Sequence, residues 1–588
     1  MIFAIEAGLV VLALALAFTV PKLGSRWFEA LERNLGNLAR QRGLSVITVG
    51  LTALTMRAAL LPILPIPSPG VQDEFCYLLL SDTFGHGRVT NPSSPMWVHF
   101  ESPFILWQPT YTAKYWPAQG VFMAVGQALL GHPFWGVWLS VGLMCAAITW
   151  MLQAWVGEGW ALLGGLLAVI RFASFNYWDN SYWGGAVAAI GGALVLGALP
   201  RMKEEHRVRN ALLMGLGFAI LANSRPYEGL FFGIPVAVAL LVWLWRLRRP
   251  ELGRALKRAM VPLLAVLALT LVAMGYYFWR TTGSVITPPY LLYARTYNPV
   301  PYFPWLPVKP FPVYHNSEIQ YYFVHLKQTF YDPSHSVAGM ARSSLIKLLL
   351  MWTYFLGPVF TLPFVLLSMV LPVGFSWQDL GPRVHFLLSV CGAVVVANLL
   401  LTSYEPHYSA PAFCAILALV VIAMRRVRPW RWRGRPTGQF VTRAVPSICV
   451  LLLVFLVIAV CLDPSTPYLK AGGPVPTWCW QSLQNKERAE ALARLDKYSG
   501  GQLVIVHYNL GNRTSNFEWV YNRADLNSAK VVWAQDMGPA KNQELMDYFK
   551  NRRAWLVDAD SHPPKLVPYP ESAGGESAAG RQDRPPRK

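Results

Sequence analysis

The sequence predicts an α-helical protein that crosses a membrane about twelve times and carries a small α/β domain near its C-terminal end. Of the 588 residues, 54% are hydrophobic and only 14% are charged, whereas soluble domains average about 25% charged residues. Apolar runs recur along the chain, and several approach the ~20 residues that a helix needs to cross a bilayer. After the last run, helix-like and strand-like segments alternate, which is typical of a small α/β unit.

The first 462 residues are predicted to form the membrane body. Lipid cannot satisfy open backbone groups, so its spanning segments must be helices. The twelve predicted spans are roughly residues 2–22, 45–66, 134–155, 160–173, 183–199, 210–224, 227–245, 259–279, 344–372, 384–402, 409–424 and 443–462. Two long loops, 67–133 and 280–343, are predicted to form a layer on one face of this body. The second is rich in Pro and Tyr, and its length is typical of a functional covering loop.

The formal net charge of +20 is concentrated in alternate loops of the body. These loops carry 23 basic and 7 acidic residues, against 11 and 10 in the rest of residues 1–462. They are residues 22–44, 156–159, 200–209, 246–258, 373–383 and 425–443. Such a bias predicts that the protein lies in the inner membrane with these loops facing the cytoplasm. It also predicts that both long loops and the C-terminal domain are extracytoplasmic. Basic residues divided in this way favour contact with membrane lipids and disfavour a nucleic-acid partner.

Residues 463–560 are predicted to form the small extracytoplasmic domain. NKERAEALARLDKYSG and PAKNQELMDYFKN are typical of helices, while QLVIVHY, KVVWAQD and AWLVDAD are typical of strands. Residues 561–588 are rich in Pro, Gly, Ser and charge, and we expect this tail to be disordered.

Adjacent carboxylates begin a predicted surface helix in PSPGVQDEFCYLLLSDTFGHG, residues 67–87. Acidic residues stabilise helix N-termini, so Asp73 and Glu74 are explained either as helix caps or as a catalytic element. Arg57 lies in the preceding apolar segment. A charge there is costly and is usually paired or functional.

Taken together, these residues resemble membrane glycosyltransferases of the GT-C fold that use polyprenyl-phosphate sugars. The group includes protein O-mannosyltransferases and the bacterial aminoarabinose transferase of lipid A, in families 39 and 83. The resemblance covers roughly residues 45–425 and rests first on Arg57, Pro67, Pro69, Asp73, Glu74, Tyr77, Gly85 and Gly87. It implies that Asp73 lies at the active site on the outer face, with Glu74 beside it.

Three further segments extend this resemblance. In SRPYEG, Arg225 takes the position of a family Lys that contacts the lipid phosphate; a helix-end residue that reaches the interface is the alternative. In FNYWDNSYWGG, the resemblance implies that Asp179 is a second catalytic acid; a role in the turn is the alternative. In TSYEPHYSAP, the resemblance implies that Glu405, His407 and Tyr408 face the outer cavity; a structural hydrogen bond is the alternative for His407.

Loop position adds Lys114 and Arg295 as candidate phosphate contacts. Arg57, His407 and Tyr408 complete the predicted substrate-binding set. No spacing of Cys, His or acidic residues commits the chain to a metal site, although a divalent cation is left open as a cofactor.

The resemblance implies inverting transfer of a hexose or pentose from a polyprenyl-phosphate donor to an acceptor hydroxyl. Asp73 would act as general base, since neighbouring charge and burial raise a carboxylate pKa. Arg225, with Lys114 or Arg295, would hold the phosphate. The acceptor is left open among lipid, glycan and protein.

Three alternatives come from other classes. A transporter or flippase of lipid-linked glycans would cluster ionisable residues at mid-membrane on broken helices. An oligosaccharide ligase or polymerase would replace the acid pair by Arg and His chemistry. An assembly protein would act through the C-terminal domain.

Overall fold

A computed structural model describes residues 1–205, 207–370, 377–463, 476–509, 517–561 and 563–570 of the protein. The first half of the chain forms helices α1 (Ile2–Thr19), α2 (Ser25–Arg40), α3 (Arg42–Ala59), α4 (Gln72–Gly85), α5 (Pro117–Leu130), α6 (Phe134–Trp155), α7 (Glu158–Phe172), α8 (Ala186–Glu205), α9 (Val208–Ala222) and α10 (Pro226–Arg246).

The second half continues with helices α11 (Glu251–Ala255), α12 (Val261–Thr282), α13 (Pro289–Thr296), α14 (Ser317–Leu326), α15 (Val337–Met351), α16 (Gly357–Val370), α17 (Pro382–Leu399), α18 (Phe413–Val427), α19 (Thr437–Leu462), α20 (Lys486–Leu495) and α21 (Pro539–Tyr548). One-turn π-helical segments join α11 to α12 and α15 to α16. Each of the twelve predicted spans falls on one of these helices or on the joined pair α15–α16. Nine helical stretches of the described chain are long and apolar enough to cross a membrane. The predicted α-helical, polytopic fold is therefore confirmed.

The described residues also form six short strands: β1 (Ile105–Leu106), β2 (Thr112–Ala113), β3 (Gly501–His507), β4 (Val531–Gln535), β5 (Arg552–Asp558) and β6 (Lys565–Pro568). The first two form a small antiparallel hairpin, and the last four form a sheet in the order β4-β3-β5-β6. Strand β3 pairs in parallel with β4 and β5, and β6 is antiparallel to β5. Helix α21 lies in the connection from β4 to β5. The predicted small α/β domain is therefore present.

Strand β6 corrects one boundary. It lies inside residues 561–588, where the sequence predicts disorder, and Leu566 and Val567 pair with β5. Two apolar residues beside a proline are too short a signal to predict a strand, and pairing with a formed edge supplies the missing stabilisation. Residues 571–588 of the expected tail lie outside the described residues, and the limits of the domains otherwise remain predictions.

Basic residues gather at one end of the helical bundle, which we call the basic end. Here Arg42 pairs with Glu158 at 2.8 Å, and Glu32 of α2 pairs with Arg428 at 2.8 Å and with Arg443 at 3.0 Å. Because these pairs join segments that are far apart in sequence, the basic loops 22–44, 156–159 and 425–443 share one side of the bundle. The long loops and the α/β domain lie at the opposite end, which we call the cluster end.

The α/β domain packs directly on helix α4 at the cluster end. The Asp82 carboxylate accepts a hydrogen bond from the Ala524 N–H at 2.7 Å, and the Tyr111 hydroxyl donates to the Asn522 carbonyl at 2.8 Å. These contacts attach the α/β domain to α4, the helix that carries Asp73, and to the segment between α4 and α5.

Candidate active site

Asp73 lies in the first turn of α4 and is partly exposed. The hydroxyl of Tyr115 donates a hydrogen bond to its Oδ1. Burial raises the pKa of Asp73 above its usual range, while the charge of Lys114, the Tyr115 hydrogen bond and the charge of Arg225 partly offset that rise. The structure therefore brings three predicted site residues, from three chain segments, within electrostatic reach of one another.

Glu74, the adjacent residue, is turned away from this group and is buried. Its carboxylate accepts hydrogen bonds from the backbone N–H groups of Gly70 at 2.8 Å, Val71 at 3.3 Å and Tyr182 at 3.2 Å. A glutamate at the third helical position that reaches back to the cap is a standard helix start. We therefore assign Glu74 to holding the start of α4 in place and not to the chemistry.

Lys114 follows strand β2, and its ammonium is buried among aromatic rings. Its Nζ lies 3.1 Å from the ring centroid of Phe104, 4.8 Å from that of Tyr115, 5.3 Å from that of Tyr293 and 5.4 Å from that of Tyr290. The negative faces of such rings attract a cation. Burial lowers the pKa of Lys114 to about 8, against the charge of Asp73, which raises it.

The ring cage depends on the long loop 280–343, which supplies helix α13. Two of the four rings, Tyr290 and Tyr293, belong to this helix, and the Tyr293 hydroxyl accepts a hydrogen bond from the Phe104 N–H at 2.9 Å. The buried Glu101 carboxylate then accepts from the Tyr297 hydroxyl at 2.6 Å and bonds His315 Nδ1 at 2.9 Å. These hydrogen bonds anchor the loop on both sides of the ring cage.

Arg225 occupies the turn between α9 and α10, immediately before the first residue of α10. Its guanidinium carbon lies 4.5 Å from the centroid of the Tyr408 ring, and Glu228 follows one turn later. Within the described residues, the Arg225 side chain makes neither an ion pair nor a hydrogen bond. Stacking on a ring leaves the N–H groups of a guanidinium free, so Arg225 can receive an anion.

Residues 405–408 are the fourth chain segment that lies near Asp73, Lys114 and Arg225. Glu405 is partly exposed; burial and the charge of Asp73 raise the pKa of this carboxyl to about 8, while Arg225 lowers it. His407 is buried and bonds the Tyr177 hydroxyl through Nδ1 at 2.9 Å and through its backbone N–H at 3.0 Å. His407 therefore ties this segment to the loop after α7, and Tyr408 supports Arg225.

Arg57 and Asp179 form a separate, sealed pair. Arg57 Nε lies 3.9 Å from Asp179 Oδ2, and neither side chain has accessible surface. Arg57 Nη1 donates to the Leu64 carbonyl at 3.0 Å, and the guanidinium lies 5.0 Å from the Phe134 ring centroid. Burial raises the pKa of Asp179 to about 7 against the charge of Arg57. Because no substrate atom reaches either group in this arrangement, we assign the pair to support of the loop that holds Glu74.

The remaining predicted residue, Arg295, is exposed on α13 and is not brought into the group. We use the name phosphate cluster for Asp73, Lys114, Arg225, Glu405 and Tyr408. Two of its neighbours, Tyr115 and Glu228, are absent from the predicted site. Their position next to Lys114 and one helical turn after Arg225 is the only sequence signal that marks them.

Carboxylates in the phosphate cluster bear on the cofactor prediction. Asp73 and Glu405 lie near each other, but within the described residues no group of three or more His, Cys, Asp or Glu side chains is spaced to hold a metal ion. Two carboxylates with waters and substrate phosphate suit a magnesium ion. A divalent cation therefore stays an untested prediction.

No family model and no curated protein sequence matches the chain. Similar solved structures include the apo oligosaccharyltransferase of Archaeoglobus fulgidus, with 10% identity, a TM-score of 0.43, and coverage of 79% of this chain and 62% of that chain. The same archaeal enzyme with an inhibitory peptide and a dolichol-phosphate gives 10% identity, a TM-score of 0.45, and coverage of 87% and 69%.

ArnT from Cupriavidus metallidurans bound to undecaprenyl phosphate gives 13% identity, a TM-score of 0.46, and coverage of 87% of this chain and 92% of that chain. The chain spans less than two thirds of the first of these structures and most of the last. At such identities and TM-scores, the similarities assign no residue, substrate or reaction to this chain.

Proposed function

We propose that the protein is a GT-C type glycosyltransferase, which transfers a sugar from a polyprenyl-phosphate donor to an acceptor hydroxyl at the cluster end. The observation that carries the proposal is the convergence of one partly exposed carboxylate, Asp73, with two cations, Lys114 and Arg225, that are free of ion pairs within the described residues. A carboxylate among uncommitted cations suits a reaction that removes a proton and leaves charge on a phosphate.

The reaction balances with these groups alone. The acceptor oxygen attacks the anomeric carbon, and its proton passes to the Asp73 carboxylate. The bond between the anomeric carbon and the phosphate oxygen breaks, and its electron pair stays on the polyprenyl phosphate. One base and attack from the side opposite the leaving group predict inversion at the anomeric carbon.

Arg225 and Lys114 have different parts in this proposal. The planar guanidinium of Arg225 is held by the Tyr408 ring and offers paired N–H donors to phosphate oxygens. Lys114 is a point charge whose direction the ring cage limits. Both would stabilise the phosphate more strongly as its charge grows.

The charge pattern supports an extracytoplasmic placement of this chemistry. All residues of the phosphate cluster lie at the end opposite the basic loops, and the positive-inside rule predicts that this end is outside the cytoplasm. Partners of the proposed enzyme are thus a polyprenyl-phosphate sugar and a lipid, glycan or protein acceptor met at the outer surface.

The transporter and flippase alternative has less support. It needs ionisable groups near mid-membrane that a substrate can reach, whereas the Arg57–Asp179 pair is sealed. A ligase or polymerase acting through His407 is also disfavoured, because the Tyr177 hydroxyl engages both Nδ1 and the backbone N–H of this residue.

Turnover by the purified full-length protein tests the proposal. The protein in detergent is given a panel of polyprenyl-phosphate pentoses and hexoses, and release of polyprenyl phosphate is measured. We expect turnover with at least one donor, and about 10²- to 10⁴-fold less with Asp73→Asn, since a general base contributes that much. Glu490→Gln, at an exposed position of α20, serves as the matched control. Equal turnover by Asp73→Asn would remove Asp73 as base, and no turnover with any donor would contradict the class.

A further inference from the structure

An apolar groove lies far from the phosphate cluster, at the basic end of the bundle between α8, α10 and α17. Its volume is about 620 Å³, and its wall includes Ile234, Val238 and Val242 of α10 and Phe386 of α17. Val238 is 54% exposed and Ile234 is 49% exposed, so the groove opens sideways, toward the surface that faces lipid.

Two cations stand in this groove. Lys203 is in the last turn of α8 and Arg246 is the last residue of α10, and both line the cavity. Glu205, two residues after Lys203, forms its ion pair with Arg207, at 3.5 Å. Among the described residues, no carboxylate lines the groove and neither cation has an ion pair. Like charges brought together without a counter-ion favour an anion between them.

The groove and the phosphate cluster belong to opposite leaflets. Arg225 precedes the first residue of α10 and Arg246 ends it. A helix of this length rises by roughly 30 Å, which is about the thickness of the hydrocarbon core. A lipid whose phosphate sits on Arg225 therefore cannot place the same phosphate at Arg246.

We propose that this groove binds one anionic phospholipid from the leaflet at the basic end. Its phosphate lies between Lys203 and Arg246, and an acyl chain follows the apolar wall of α10 past Val238. Basic pockets between membrane helices on the side with the positive loops are suited to anionic headgroups. Charge complementarity selects the headgroup, and the groove fixes the position of one chain.

Native mass spectrometry of the full-length protein tests this site. The protein is equilibrated in mixed micelles with phosphatidylglycerol or with phosphatidylcholine, and retained lipid is counted. We expect one retained phosphatidylglycerol and at least tenfold less retained phosphatidylcholine. The double variant K203Q/R246Q should lose at least tenfold of the retained phosphatidylglycerol, whereas R248Q/R249Q, two exposed arginines just beyond the groove, should retain it.

A second variant separates the groove from the charges. Val238→Trp fills the apolar wall at an exposed position and leaves both cations in place, so it should also reduce retention at least tenfold while the protein stays folded. Equal retention of phosphatidylglycerol by K203Q/R246Q and wild type would overturn the proposal. Retention of phosphatidylcholine equal to that of phosphatidylglycerol would overturn it as well. So would displacement of the bound lipid by undecaprenyl phosphate at equimolar concentration, which would assign the groove to the donor lipid.

Discussion

The protein contains two sets of arginine and aspartate at the same end of its bundle, and they differ in access. Arg57 and Asp179 face each other at 3.9 Å with no accessible surface. Asp73 and Arg225 are both partly exposed, and Arg225 rests on a ring without an ion pair within the described residues. The same two residue types thus serve as a sealed support in one place and as open, reactive groups in the other.

The difference shows what separates a structural charge from a functional one in this fold. A buried ion pair offsets part of the desolvation cost of its charges, so its value lies in fixing a conformation. A cation that has no ion pair costs free energy, and we expect such a cation beside a carboxylate only where a ligand binds. Exposure, rather than the presence of charge in an apolar segment, therefore marks the proposed site.

Breaking the sealed pair is expected to have the largest effect on stability. Arg57→Ala leaves Asp179 buried without its cation, which typically costs about 3–5 kcal/mol of unfolding free energy. Chemical denaturation in detergent measures this loss, with Arg295→Ala at an exposed position as the matched control. The double change Arg57→Met with Asp179→Leu removes both charges and should recover much of the loss.

Another result would reverse this comparison. If Arg57→Ala keeps its unfolding free energy but no longer binds a polyprenyl-phosphate sugar, Arg57 contacts the substrate, as the sequence alone predicts. The sealed pair would then have to open during the reaction.

Much of the fold follows from local sequence patterns. Each apolar run predicts a helix, and alternation with turn residues predicts β3, β4 and β5. Strand β6 is missed because its stabilisation comes from pairing with β5 and not from its own four residues. The surface helix α4 is found because its apolar positions and acidic start are contained in one short segment.

The site is less predictable because its contacts join distant segments. Asp73 and Glu74 are equivalent in sequence, but successive helix residues point about 100° apart, so only one of them faces Tyr115. The ring cage of Lys114 needs helix α13, nearly 180 residues later, and no local pattern predicts that meeting. Asp179 is predicted by the resemblance and Arg295 by loop position, and neither signal determines burial.

Removal of the open cation is expected to have the next largest effect, on donor binding. Hydrogen bonds to a charged group are worth about 1.5–3 kcal/mol, so Arg225→Ala should weaken the affinity for a polyprenyl-phosphate sugar by about 10- to 100-fold. Arg295→Ala, an arginine of the same layer outside the cluster, should change it less than about twofold. Donor affinity is measured by titration in detergent, and acceptor dependence by initial rates. Unchanged donor affinity in Arg225→Ala would place the phosphate elsewhere.

The smallest expected effect is on the pH dependence of turnover. Asp73 must be ionised to accept a proton, and its pKa is raised, so turnover should rise with pH through that pKa. Lys114 must be charged to attract the phosphate, and burial lowers its pKa to about 8. Turnover should therefore fall as pH rises above about 8, by up to tenfold per pH unit.

Two variants assign the alkaline limb, because Glu405 has a pKa of about 8 as well. Lys114→Arg keeps its charge at every accessible pH, so the fall above pH 8 should disappear. In Glu405→Gln the fall should persist, since Lys114 still loses its proton. A limb that survives in Lys114→Arg and vanishes in Glu405→Gln would mean that ionisation of Glu405 repels the phosphate. Glu405 would then control the pH dependence of the phosphate cluster, and Lys114 would have a structural role like that of the Arg57–Asp179 pair.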